Sequence, residues 1–406
     1  MLNYHIHVAL MLYRDGRRVV LADKRGFDYL PWHTPLVLLL LSGALVVRLP
    51  LLALTAGYDL HVVAALSRRA AHGQDVYTID PHHLTPWAYF PLLLDLFAGL
   101  TRLAARTGWS FYVLAKLPVV AADLGVGALL YAALRRRGHS WGCSLTGMVL
   151  YLYNPLVLYN GAFYGRFDAI ALVFLLLALE GNRSWFFAPS YALAIASKTF
   201  PLFLLPLLAL GRDREAPRRF VFACVLVVPL SLPYVVVDPG GLLSHVFYVD
   251  RAGFGSLSWY LLFPHASLVQ RTQLAAVAHA GLALYPAVAL LLVRAPLYVK
   301  AGCCYALFTV LTSTLYEQYL LWPLPFLIVT GLHHHRRGAL LLVALYTLAG
   351  MAENEYTWFP GSLHYALLPR LYLPLNIALA VTTLAFIAMQ VHRDLLHGAA
   401  PSVQRP

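Results

Sequence analysis

The chain has 406 residues, 60% of them hydrophobic and only 12% charged, with a mean hydropathy of +0.67. Soluble domains carry about 25% charged residues, so this balance excludes a water-exposed globule and predicts an all-α, polytopic membrane protein. The formal charge of +12 would suggest nucleic acid in a soluble chain, but here the basic residues gather in short loops between apolar runs, the pattern of cytoplasmic loops.

In chain order, residues 1–34 carry scattered charges and no cleavable apolar core, which predicts a cytoplasmic leader. The first span is expected over 35–56, running outward. Residues 57–110 contain WAYFPLLLDLFAGLTRLAA, which has the look of a span. Counting it as one would put Arg135-Arg136-Arg137 on the wrong side, and it carries Pro91, Asp95 and Arg102. It is therefore expected to be an amphipathic helix on the outer leaflet, within an external loop. A span over 111–134 returns to the triple arginine. Further spans are expected at 143–161, 167–180, 184–198, 200–210, 219–237, 273–293, 300–316, 318–332, 338–352 and 371–391, about twelve in all.

The other basic groups (Arg212, Arg214, Arg218 and Arg219; Arg294 and Lys300; Arg336 and Arg337) then also face the cytoplasm, as do both termini, with 392–406 as a tail and 35–391 as one domain. The pieces 184–198 and 200–210 are too short for a hydrocarbon core of about 30 Å at 1.5 Å per residue. They are expected to meet at Lys198 and line a cavity sunk below the outer surface. No internal repeat, flexible linker or low-complexity block interrupts the chain. Cys143, Cys224, Cys303 and Cys304 lie in apolar segments without a CxxC and read as small hydrophobes.

This threading collects a small set of polar residues on one side: Asp59, Tyr89, Arg166, Asp168, Lys198, His245, Arg251, Glu317 and Gln318. Singly, each has a plain structural reading. Asp59 could cap the following helix, Asp168 could stabilise a helix start through the dipole, and Arg166 and Lys198 could snorkel to headgroups. Charges near a membrane are costly, and their gathering on one side points to a shared site. Within the membrane, Arg48 and Asp123 fall on adjacent spans at similar depth and are expected to form a buried structural ion pair. His333-His334-His335 reads as an interfacial loop, because adjacent histidines on a helix fan apart. No GxGxxG or GxxxxGK[ST] motif indicates a nucleotide fold.

From 57 to about 330 the order of motifs resembles the GT-C superfamily of polyprenyl-phosphate-sugar-dependent glycosyltransferases. The resemblance is strongest to the first mannosyltransferase of glycosylphosphatidylinositol synthesis and related prokaryotic mannosyltransferases. The residues that carry it are GYDLH, HGQDVYTIDP, YFPLL, KLPVVAADL, YNPLVLYNGAFYGRFDAIALVF, ASKTFPLFLLP and LYEQYLLWPLPF. The resemblance implies a general base at Asp59, the acid just after the first span. It matches Asp168 within Arg166-Phe167-Asp168-Ala169, and Lys198 before Phe200-Pro201.

The implied reaction moves a hexose, with mannose the family's bias, from a polyprenyl or dolichyl phosphate to a lipid-linked or glycan acceptor, with inversion. Asp59 would take the acceptor proton. Lys198, Arg166 and Arg251 would hold the donor phosphate. Asp168, His245, Glu317, Gln318 and Tyr89 would read sugar or acceptor, with Trp87 and Trp259 as stacking surfaces. No metal or cofactor is implied, and no nucleic acid partner. The membrane would be the plasma membrane in a prokaryote or the endoplasmic reticulum in a eukaryote, with the site external or lumenal. A transporter or lipid flippase also fits a sunken charged cavity, and a non-catalytic membrane subunit of a glycosylation complex is a third alternative.

Overall fold

Proline sets several of the helix breaks. The computed structural model describes residues 34–54, 56–77, 87–181, 184–204, 216–247, 291–292, 295–312, 315–353 and 361–398, with isolated positions 267, 270 and 273. Every regular element among them is helical. The first is α1 (Thr34–Leu54), followed by α2 (Tyr58–Ala71), α3 (Leu92–Thr107) and α4 (Phe111–Arg136). Then come α5 (Trp141–Leu152), α6 (Pro155–Leu158), a π turn (Tyr159–Phe163), α7 (Asp168–Glu180), α8 (Ser184–Ser197) and a 3-10 turn (Phe200–Leu204). The second half holds α9 (Ala216–Val237), α10 (Pro239–Phe247), α11 (Leu297–Leu311), a 3-10 turn (Glu317–Leu321), α12 (Leu324–His333), α13 (Arg337–Glu353) and α14 (Gly361–Gly398).

Most expected spans coincide with a helix, but two break internally. Residues before proline avoid the helical region. Asn154 is accordingly extended, with ψ 124°, and its side chain accepts from the Leu156 N–H to start a new helix. The run expected over 143–161 therefore splits, and the segment Pro155–Phe163 meets Asp168–Glu180 at a bend of 116°. The span expected over 318–332 is also not one helix: a 3-10 turn over Glu317–Leu321 precedes α12, although Trp322, just before Pro323, keeps helical angles with φ −62° and ψ −43°.

Among the described residues, four helices are long and apolar enough to cross a membrane: Thr34–Leu54, Phe111–Arg136, Pro217–Val237 and Pro374–Leu396. The bent pair would make a fifth. α5, α11 and α13 are apolar but shorter. Nearly all of the span expected over 273–293, most of 200–210, residues 1–33 of the leader and the end of the tail lie outside the described residues.

The segment between α1 and α4 forms two helices that pack on each other and on α4. α3 is amphipathic as expected: Leu93, Leu94, Phe97 and Ala98 are buried while Asp95 and Leu96 are exposed. Its buried face joins Leu60, Val63, Trp87 and Phe167 in a core of its own beneath the polar site. The main core is built from α4, α5, α7, α8, α11, α12 and α13, and encloses Cys303 and Cys304. All four cysteines are free thiols. α1 instead exposes Leu38, Leu39, Val46, Leu49 and Leu54, an apolar surface suited to hydrocarbon rather than water.

Three buried charges tie α1 to its neighbours. Arg48 Nε lies 3.6 Å from Asp123 Oδ2, the expected ion pair. The guanidinium also donates to the carbonyls of Ala44 (3.0 Å) and Leu152 (2.8 Å). Gly161 makes this possible, since a Cβ there would stand 2.3 Å from the Asp123 carboxylate. Lys116, fully buried, donates to the Leu51 and Leu52 carbonyls near the end of α1.

The triple arginine meets the other end of α7. Glu180 accepts from Arg136 at 2.7 Å, Arg137 at 2.8 Å and Tyr298 Oη at 2.7 Å. His333 closes α12 beside them, its Nδ1 2.7 Å from His139 Nε2, and His335 turns the chain with φ 51°. Burial, with His333 and Arg336 close by, pushes the His334 imidazole down to about 4.

Candidate functional site

Four chain ends converge. Asp59 is the second residue of α2, a few positions past α1. Asp168 opens α7 with Arg166 just before it. Lys198 follows α8, and Glu317 and Gln318 start the turn that leads into α12. Asp59 therefore sits in the first turn of its helix, where its charge favours the dipole, while Gly57 occupies the cap position.

The stretch NGAFYGRFDA shows how local sequence places two of these groups. Buried Asn160 donates to the Leu156 carbonyl at 3.0 Å and accepts from Arg166 Nη1 at 3.1 Å. Gly165 follows the π turn with φ 76°, and a Cβ there would lie 2.6 Å from Leu60 Cδ2 and 3.0 Å from Lys116 Cγ. Both backbone conformation and space demand glycine. The reversal returns the Arg166 N–H to the Asn160 carbonyl at 2.8 Å, and α7 starts two residues later.

Arg166 serves two acids. Its Nε is 3.3 Å from Asp59 Oδ2, and its Nη1 pairs with Glu317 Oε1. Asp59 is half exposed and Glu317 almost fully buried. The Nε contact lacks hydrogen-bonding geometry, and this donor has no acceptor among the described residues.

Lys198 is held from behind. Its ammonium donates to Asp168 Oδ2 at 2.7 Å, and the other carboxylate oxygen accepts from Trp322 Nε1 at 2.6 Å. Trp322 is itself fixed by stacking, with ring centroids 4.5 Å from Phe200 and 5.2 Å from Phe308. The ammonium lies 5.1 Å from the Phe167 ring and 5.4 Å from the Tyr89 ring, within cation–π range. Asp168 is fully buried at the first position of α7, where the helix dipole adds to the lysine in stabilising its charge.

Tyr89 is braced from outside. Its carbonyl accepts from Tyr77 Oη at 2.9 Å, the Tyr77 ring packs on Tyr234, and Tyr234 Oη donates to Asp95 at 2.7 Å. Burial above all, then Tyr234 and nearby carboxylates, pushes the Tyr77 phenol far up, so it stays a donor throughout the working pH range.

These groups border a cavity of about 400 Å³, within the range of small-molecule sites. Asp59, Tyr89, Arg166, Asp168, Lys198 and Gln318 all line it, with Trp87, Phe167, Tyr316 and Tyr319 as aromatic walls. Glu317 reaches it through Arg166. His245 lies half-buried on α10, away from the lining. Arg251 and Trp259 fall outside the described residues.

Charge is nearly balanced here: Asp59, Asp168 and Glu317 against Arg166 and Lys198. Asp168, placed at the sequence level among the sugar- or acceptor-binding residues, has both oxygens committed to Lys198 and Trp322. Sequence reasoning missed Trp322, Asn160 and Phe167. Trp322 and Asn160 sit in quoted motifs, but nothing in their spacing shows that an indole and an amide would reach a charged partner.

No family model matches the chain, and no curated protein matches its sequence. Among the described residues, the fold and site define an all-helical protein with helices of membrane-spanning length and apolarity and a charged, aromatic-walled cavity.

Proposed function

We propose that the chain is an inverting, membrane-embedded glycosyltransferase that moves a hexose, with mannose first in order of expectation, from a polyprenyl phosphate to a lipid-linked or glycan acceptor. The observation that carries this reading is the meeting of Asp59, Arg166 and Lys198 on one aromatic-walled cavity. The order of the resembling motifs supports it. The GT-C arrangement of about twelve spans, with the cavity on the non-cytoplasmic side, belongs to the same proposal.

The chemistry suits the inventory. Asp59 takes the proton of the acceptor hydroxyl as its oxygen bonds to the anomeric carbon. The bond from that carbon to the phosphate oxygen breaks, and its electron pair leaves with the lipid phosphate. Lys198, aimed by Asp168 and Trp322, and Arg166 stabilise the growing negative charge. A phosphate leaving group needs no strong general acid. Gln318 and Tyr89 line the cavity and read sugar or acceptor in this proposal, and the aromatic faces there offer stacking to a sugar ring.

The test is incubation of the purified protein with radiolabelled polyprenyl-phosphate mannose or glucose and a lipid acceptor extract. Transfer of label without an ion gradient or nucleotide is the expected result, and none with either donor ends the proposal. The 116° break between Pro155–Phe163 and Asp168–Glu180 favours one second reading, a transporter, since transporters build sites from broken helices. Reconstituted vesicles that move prenyl phosphate sugar across the bilayer without forming product would support that instead.

A further inference from the structure

Arg166 is shared between two carboxylates and an amide, yet its donors are not all used. It faces Asp59, Glu317 and Asn160, while its Nε edge lies against Asp59 without completing a hydrogen bond. A guanidinium offers a planar fork that matches two oxygens of one oxyanion, and here one tine of that fork is poorly used. The Asp59 carboxylate beside it is the base of the proposed reaction. A phosphate entering a site with three carboxylates and two cations meets like charge unless a cation changes partner.

We infer that Arg166 is a latch worked by the donor. The phosphate takes the Nε edge of the guanidinium, and Asp59 Oδ2 is released toward the acceptor hydroxyl. Glu317, buried at the far side, is the positioning residue that keeps the arginine at the cavity wall in both states. Asp59 then gives up its ion pair with Arg166 only when the donor is seated. The identity of the phosphate-bearing ligand rests on the glycosyltransferase reading. The competition between Asp59 and an anion for Arg166 rests on the geometry alone.

The test is binding of farnesyl phosphate, a short prenyl monophosphate, to the full-length purified protein, followed by quenching of tryptophan fluorescence at fixed ionic strength. Asp59→Asn removes the competing charge and tightens binding about two- to fivefold. Arg166→Ala weakens it by more than about tenfold. Glu317→Ala also weakens it, whereas Glu317→Gln, which keeps an acceptor for Nη1, retains binding. That rescue separates positioning from mere folding.

Unchanged or weaker binding by Asp59→Asn overturns the latch even where the wild-type protein transfers hexose. A tighter Asp59→Asn in a protein that transfers no hexose leaves the latch standing and removes the glycosyltransferase reading. Absence of farnesyl phosphate binding in the wild-type protein overturns both.

Discussion

The two ends of α7 handle charge in opposite ways. At the Glu180 end one carboxylate is saturated, accepting from Arg136, Arg137 and Tyr298, with the Arg137 guanidinium 4.6 Å above the Tyr298 ring. At the Asp168 end two cations divide three carboxylates, and the cluster opens on a cavity. An acid with several good donors gains nothing by changing partner, so the first cluster serves as a clasp between helix ends. A cation split between acids, with one N–H left over, can accept a ligand at small cost. Pairing quality, rather than the number of charges, separates the closed end from the one that opens on the cavity.

Asp59→Asn is expected to show the largest effect. Loss of a general base lowers turnover by about 10²–10⁴-fold, while expression and melting temperature hold. Full activity of the purified variant would move the functional end elsewhere. Lys198→Ala comes next: donor KM rises, and the buried Asp168 carboxylate loses its counter-ion at a cost of about 3–5 kcal/mol. Lys198→Ala combined with Asp168→Asn should recover melting temperature without recovering donor affinity. Recovery of both would make the pair structural only.

Arg48 and Asp123 provide a closed counterpart. Either single alanine substitution should cost about 3–5 kcal/mol by stranding a buried charge, and the double variant less than the sum. Strict additivity in thermal unfolding would contradict the pairing. Glu180→Gln is smaller, about 1.5–3 kcal/mol for weakened charged hydrogen bonds, toward the low end because Arg136 is half exposed. It should leave donor KM unchanged.

The smallest effect is one of pH. The folded state holds His334 near 4, against about 6.5 in an unfolded chain. The unfolded state therefore binds the extra proton between those values. Stability from this group is complete above about 6.5 and falls as pH drops toward 4. A His334→Asn variant should melt with a flatter dependence over that window, and a slope equal to wild type would remove the histidine as its cause.

Much of this was legible in the chain. Apolar length marked most of the helices, and the arginine-rich loop after 134 forced α3 to be read as amphipathic rather than spanning. Arg48 and Asp123 could be paired because both sit on long helices of known rise. The break at Asn154-Pro155 was also legible in the sequence, from the backbone preference of a residue before proline. The continuous hydrophobicity of 143–161 masks it. Asp59, Arg166, Asp168 and Lys198 were found because charges are rare in so apolar a chain.

Their pairing was not legible. Asp168 meets Lys198 and Trp322 across 30 and 154 residues, and Arg166 meets Glu317 across 151. Partners at such separations depend on how α7, α8 and the turn before α12 pack, which local composition does not encode. By itself the sequence determined where chain could be helical and which few polar groups burial would make costly. Only the tertiary structure decided which carboxylate each cation received, and so which end of α7 is sealed and which borders a cavity. The physical reason is that desolvation is a property of each residue, whereas compensation for it belongs to the contact.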